Sequence, residues 1–93
     1  MPKISIHTIR SVWDKATIVP NYNQDVWRKD FAGAWIRKDA YGQHSKYGWE
    51  IDHLIPVSKG GSNDLSNLTA EAINNQPIVV NYFQIVEPTP VNI

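Results

Sequence analysis

The sequence predicts a small α+β domain, and three observations predict it. Ile9, Val12, Trp13 and Ala16 fall at helix spacing near the amino terminus. Trp49 to Val57 is rich in Ile and closed by Pro56, as a strand requires. Between them and beyond, Gly and Asn clusters divide the chain into short pieces rather than long periodic ones. At 93 residues, the chain is read as a single domain, 1–93, with a basic amino-terminal extension over 1–47, a central motif over 48–76 and a carboxy-terminal arm over 77–93.

The elements follow in order. Ile4 and Ile6 alternate, and a short helix is expected from Ile9 to Ala16. Pro20, Asn21 and Asn23 break that pattern. Asn23 or Asp25 is then placed to cap a second short helix through Phe31, stopped at Gly33. Ala34 to Asp39 reads as a strand, with Trp35 and Arg37 on one face and Ile36 and Lys38 on the other. The Gly-flanked run Tyr41 to Gly48 reads as a hairpin loop leading into the strand from Trp49. Ser58-Lys59-Gly60-Gly61-Ser62-Asn63-Asp64 has the chemistry of a compact turn, with Asp64 expected to accept from backbone amides. A short strand around Asn67 to Thr69 follows, and Thr69 is placed to cap a helix through Gln76, where Pro77 ends it. Ile78 to Val86 is β-branched and aromatic, an expected edge strand or packed arm that offers a surface for self-association, before a loose tail.

Composition narrows the possible functions. There are no cysteines, which excludes both a disulfide framework and a thiolate zinc site. Four Trp, four Tyr and two Phe supply large buried areas, and packing is the expected use of these rings ahead of base stacking. No apolar run is long enough to span a bilayer, and the amino terminus lacks the apolar core of a signal peptide. A soluble, cytoplasmic protein without membrane association is expected.

The formal net charge is zero, but the charges are not mixed evenly. Up to Gly48 the basic residues are Lys3, Arg10, Lys15, Arg28, Lys29, Arg37, Lys38 and Lys46, against Asp14, Asp25, Asp30 and Asp39. From Trp49 onward Lys59 stands against Glu50, Asp52, Asp64, Glu71 and Glu87. One consequence is a division of labour, with the first half on a phosphate backbone and the second on a cation. A merely solvated surface of mixed charge fits the same counts.

Chemistry concentrates in Gly48-Trp49-Glu50-Ile51-Asp52-His53-Leu54-Ile55-Pro56-Val57, the Gly60-Gly61 turn, Asn67-Leu68 and Asn74-Asn75. Imidazole titrates near neutrality and accepts a proton from water. Carboxylate and amide oxygens are hard ligands that favour Mg²⁺ or Mn²⁺. This run closely resembles the HNH nuclease motif. A wider resemblance, taking in Trp27-Arg28-Lys29-Asp30-Phe31-Ala32-Gly33-Ala34-Trp35-Ile36, extends over Trp13 to Asn75 and is similar to a bacterial and phage subgroup of that family.

The resemblance implies a ββα-metal fold, here with short amino-terminal helices and an additional β-hairpin strand. It implies a divalent-metal-dependent DNA endonuclease, with His53 as general base, Asn67 steadying the loop, and Asp52 and Asn75 as ligands to one ion. Mg²⁺ or Mn²⁺ is the expected ion, with Ni²⁺ or Zn²⁺ as alternatives. The products implied carry a 5′-phosphate and a 3′-hydroxyl. The interval from Asn67 to Asn75 is one residue shorter than the family's usual spacing, a turn of about 100° on a helix, so Asn74 and Gln76 stand as alternative ligands. A binding module that keeps the fold without the metal site is the rival reading.

Around this centre, Glu50 would share the strand face of Asp52, as a supporting group or an extra ligand. Arg28, Arg37, Lys38 and Lys59 are the candidate phosphate contacts, with double-stranded DNA the expected partner and a homodimer an open possibility. His7 and His44 are expected at the surface.

Overall fold

A computed structural model describes residues 4–74. Helix α1 spans Ile6–Lys15, opening where the Ser5 hydroxyl accepts from the Thr8 amide at 3.2 Å. That cap starts the helix earlier than the apolar spacing suggests, so Ile6 is an exposed helical residue and not part of a strand. Val12 and Trp13 are buried, as their spacing requires. The helix ends at Ala16, whose backbone turns extended, and Thr17 then bridges to Lys29.

Asn23 closes a turn instead of capping a helix. Its side-chain oxygen accepts from the Asp25 amide, and its carbonyl accepts from Val26 and Trp27. The chain then enters β1 (Trp27–Lys29), which pairs antiparallel with β2 (Trp35–Arg37) in the register Trp27 to Arg37, Arg28 to Ile36 and Lys29 to Trp35. One turn of helix was available locally. Cross-strand pairing and burial of Trp27 and Trp35 favour the strand, which overrides that local preference.

The second hairpin pairs β3 (Trp49–His53) with β4 (Leu68–Ala72). The two hairpins form separate two-stranded sheets, so Tyr41 to Gly48 connects one sheet to the other and is not a hairpin loop. β4 also replaces the first part of the helix expected from Thr69. Leu68, Ala70 and Ala72 are buried opposite His53, Ile51 and Trp49, while Thr69 and Glu71 face the other side. Ala and Glu favour helices in isolation, but a helix here would forfeit this buried stripe and the bond from the Ile73 amide to the Gly48 carbonyl. Through Asn74 the chain is strand and turn, and the remainder of that expected helix lies outside the described residues, as does the Ile78 to Val86 segment.

One core joins the elements. Val12, Trp13, Ile36, Trp49, Leu68, Ala70 and Ala72 form it, with Ile9, Ala16, Ala34, Tyr41 and Ile51 packed against it. All four tryptophans are buried, and Trp13 meets Trp49 at 5.5 Å between ring centroids. The Trp13 indole donates to the Gln24 carbonyl and the Trp49 indole to the Arg37 carbonyl, which satisfies the polar edge of each ring. Packing is therefore the role of these rings. Each fully buried large side chain contributes about 1.5–3 kcal/mol.

Asp30 is the other junction between the hairpins. Its carboxylate is buried, with Oδ1 accepting from the amides of Ala32 and Ala34 inside the β1–β2 turn and Oδ2 accepting from the Ala72 amide of β4 at 3.0 Å. A buried carboxylate needs such donors, and here they tie the first hairpin to the end of the second. Among the described residues no helix is long and apolar enough to cross a membrane.

Candidate active site

His53 ends β3, and the chain beyond it forms a loop that returns at Leu68. Two short 3-10 turns, Val57–Lys59 and Leu65–Asn67, give the loop its shape. Gly60 between them has φ +89°, the left-handed conformation that the sequence anticipates at a Gly-rich turn. Gly61 is required for a different reason: a Cβ there would lie 1.7 Å from the Ile55 carbonyl oxygen.

Asn67 closes the loop as its amide chemistry suggests. Its Oδ1 accepts from the Ile55 amide at 2.8 Å, and its Nδ2 donates to the carbonyls of Ile55 and Ser62 at 3.1 and 2.8 Å. Its own carbonyl accepts from the Leu54 amide. Lys15 steadies the same segment from outside, with Nζ donating to the carbonyls of Leu65 and Leu68. Asp64 contributes through its backbone carbonyl, which accepts from the Asn67 amide, and not through its side chain, which makes no cap bond.

His53 is half-buried, and its Nε2 lies 2.7 Å from Oδ1 of Asn63 in this loop. Asp52 is exposed, and its Oδ1 accepts from the His53 amide at 3.0 Å. Consecutive strand residues alternate in direction. His53 therefore shares a face with Ile51, whereas Asp52 lies with Glu50 on the other, where Glu50 is directly opposite Glu71.

Glu71 is the acidic neighbour that the expected helix concealed. Burial first, then its hydrogen bond to Asp52 and the charges of Asp52, Asp30 and Glu50, hold its carboxyl above the ordinary value of 4.5. The signal for its position was present in the alternation of Leu68-Thr69-Ala70-Glu71-Ala72. Burial and then the Glu50 charge raise the Tyr41 phenol in the same way.

The remaining candidates separate by burial. Arg28 is only 4% exposed. Its guanidinium donates to the carbonyls of Gln24, Asp14 and Ala16 and to the Gln24 side chain. It lies 5.6 Å from the Trp13 ring centroid. This replaces the expected phosphate contact with a structural role, because the donors a phosphate would need are already engaged. Arg37 is partly exposed, pairs with Asp39 at 2.8 Å and lies over Trp27. Arg37 and Lys38 line a surface pocket of about 320 Å³ together with Asp25, Val26 and Asp39. Lys59, His7 and His44 are exposed.

Asn74 donates its amide to the Ser45 carbonyl at 2.8 Å. Asn75 and Gln76 lie outside the described residues. Among the described residues, no group of three or more His, Cys, Asp or Glu side chains is arranged to hold a metal ion.

A half-buried imidazole with one nitrogen hydrogen-bonded leaves its other nitrogen able to accept a proton, and the exposed carboxylate next to it in the chain is a hard-oxygen donor. Residues 39–70 match the model of the HNH endonuclease family. The match takes in β3, the whole loop and the start of β4, and it points to nuclease-type activity. No curated protein and no solved structure matches the chain significantly.

Proposed function

We propose that this protein is a divalent-metal-dependent DNA endonuclease, with His53 as its general base. The observation that carries the reading is the placement of His53 at the mouth of a loop locked by Asn67, within the segment that matches the nuclease family. His53 takes a proton from water, the resulting hydroxide oxygen bonds to phosphorus, and the bond from phosphorus to the 3′ oxygen breaks. That oxygen takes a proton from solvent, leaving a 3′-hydroxyl and a 5′-phosphate.

Asp52 and Asn75 are the proposed metal ligands. Asp52 fits the role as an exposed hard-oxygen donor. Two protein ligands suit Mg²⁺ or Mn²⁺, which keep several coordination positions for water and phosphate. Such an ion supplies charge neutralisation at the leaving oxygen. Arg37, Lys38 and Lys59 are the proposed contacts to the DNA backbone, and the cytoplasm is the proposed location.

Incubation of supercoiled plasmid with Mg²⁺, Mn²⁺, Ni²⁺ or Zn²⁺, each against EDTA, tests this reading. Metal-dependent nicking that disappears in His53→Ala, with DNA binding retained, is the expected result. Cutting that persists in His53→Ala would exclude that residue as base. DNA binding without cutting under any metal would instead identify a binding module built on the same frame.

A further inference from the structure

We propose that Asn63 is the positioning residue for His53, fixing both the rotation of the imidazole and the nitrogen that receives the proton. This rests on the nuclease reading. Asn63 Oδ1 lies 2.7 Å from His53 Nε2, and an amide oxygen only accepts hydrogen bonds. Nε2 therefore carries the proton in the neutral ring, and Nδ1 keeps the lone pair that takes a proton from water. A histidine is directed in this way when its second nitrogen is held by an oxygen acceptor.

The strength of the arrangement lies in how Asn63 itself is held. Its neighbours on both sides are pinned: the Ser62 carbonyl accepts from Asn67 Nδ2 at 2.8 Å, the Asp64 amide donates to the Ser62 hydroxyl at 3.2 Å, and the Asp64 carbonyl accepts from the Asn67 amide at 2.7 Å. Asn67 thus acts on the base through Asn63. The loop lock and the orientation of the imidazole are two ends of one path: hydrogen bonds link Ile55 to Asn67 and Asn67 to Ser62, the peptide bond carries it to Asn63, and a further hydrogen bond reaches His53. Asn63 is exposed, so replacing it does not open a cavity.

The test compares the full chain with Asn63→Leu and Asn63→Asp. Leucine removes the acceptor at similar size, and aspartate keeps it. In ¹⁵N-labelled protein at a pH where the ring is neutral, the His53 Nε2–H proton should be protected from solvent exchange in the wild type and in Asn63→Asp, and should lose that protection in Asn63→Leu.

Single-turnover cleavage should fall on the order of 10- to 100-fold in Asn63→Leu, the usual loss for an orienting partner. DNA affinity and the melting transition should be unchanged, and Asn63→Asp should recover most of the rate. An unprotected Nε2–H in the wild type, a proton on Nδ1, or full protection in Asn63→Leu would overturn the proposal. Equal loss of cleavage in both variants, with the ring proton still protected in Asn63→Asp, would also overturn it. Absence of cleavage by the wild type would count against the nuclease reading alone, because the exchange measurement still decides whether Asn63 holds the ring.

Discussion

The side-chain amide of Asn67 pairs with both backbone polar groups of Ile55, accepting from its N–H at 2.8 Å and donating to its carbonyl at 3.1 Å. This is the exchange that two opposed residues of an antiparallel ladder make, with a side chain standing in for one strand. Pairing is thereby carried past His53, after β3 itself has ended, and the loop is shaped from its base upward.

Asn67→Ala should lower the unfolding free energy by about 1–3 kcal/mol, the cost of leaving the Ile55 and Ser62 groups without partners. Urea denaturation measures it. Asn67→Asp should not restore stability, since a carboxylate keeps the bond to the Ile55 amide but turns two donations to carbonyls into repulsion. Cleavage should fall in both variants.

Asp30 has a comparable role in joining the sheets. Asp30→Ala deprives three backbone amides of their acceptor, and each bond to an ionised group contributes about 1.5–3 kcal/mol. A loss of about 3 kcal/mol or more is expected, enough to abolish cooperative folding in a small domain. Thermal unfolding of Asp30→Asn, which retains one carbonyl oxygen, should fall between the wild type and Asp30→Ala.

Glu71 introduces a pH dependence whose sign follows from its raised carboxyl. A folded-state value above that of the unfolded chain means that protonation favours the fold. The stabilising contribution is fully present below the ordinary value of 4.5 and is lost as pH rises through the higher folded value. In EDTA, Glu71→Gln should therefore be more stable than the wild type at neutral pH by roughly 0.2–1 kcal/mol, the range for like charges opposed across a hairpin. The gap should close as pH falls. Melting curves across that range would sink the idea if the gap stayed constant.

The basic residues should divide between structure and DNA. Arg28→Ala should lower the melting temperature, because its carbonyl acceptors and the Trp13 face lose their partner. Lys59→Ala should leave melting unchanged and reduce the slope of log affinity against log salt by roughly one. A titration of DNA binding over several salt concentrations distinguishes the two.

Much of the site was legible along the chain because it depends on local chemistry. The positions of Asp52 and His53 at the end of an apolar strand, of Gly60 at a left-handed turn, and of Asn67 closing the loop with both an acceptor and donors follow from residue type. Asn63 was legible only as turn chemistry, since nothing in its sequence context shows that its oxygen reaches an imidazole ten positions away.

The sequence by itself determined the α+β class, helix α1, the β3 strand and the loop that closes it, all of which rest on short-range periodicity and turn geometry. Tertiary structure decided that Trp27 to Lys29 is a strand and not a helix, and that Leu68 to Ala72 continues the second hairpin. It also decided that Arg28 and Asp30 are interior residues and that Glu71 stands opposite Glu50. The physical reason is common to these cases. Intrinsic preferences differ by less than about 1 kcal/mol per residue, whereas burying a tryptophan or satisfying a charged group contributes more than that, so partners distant in sequence prevail.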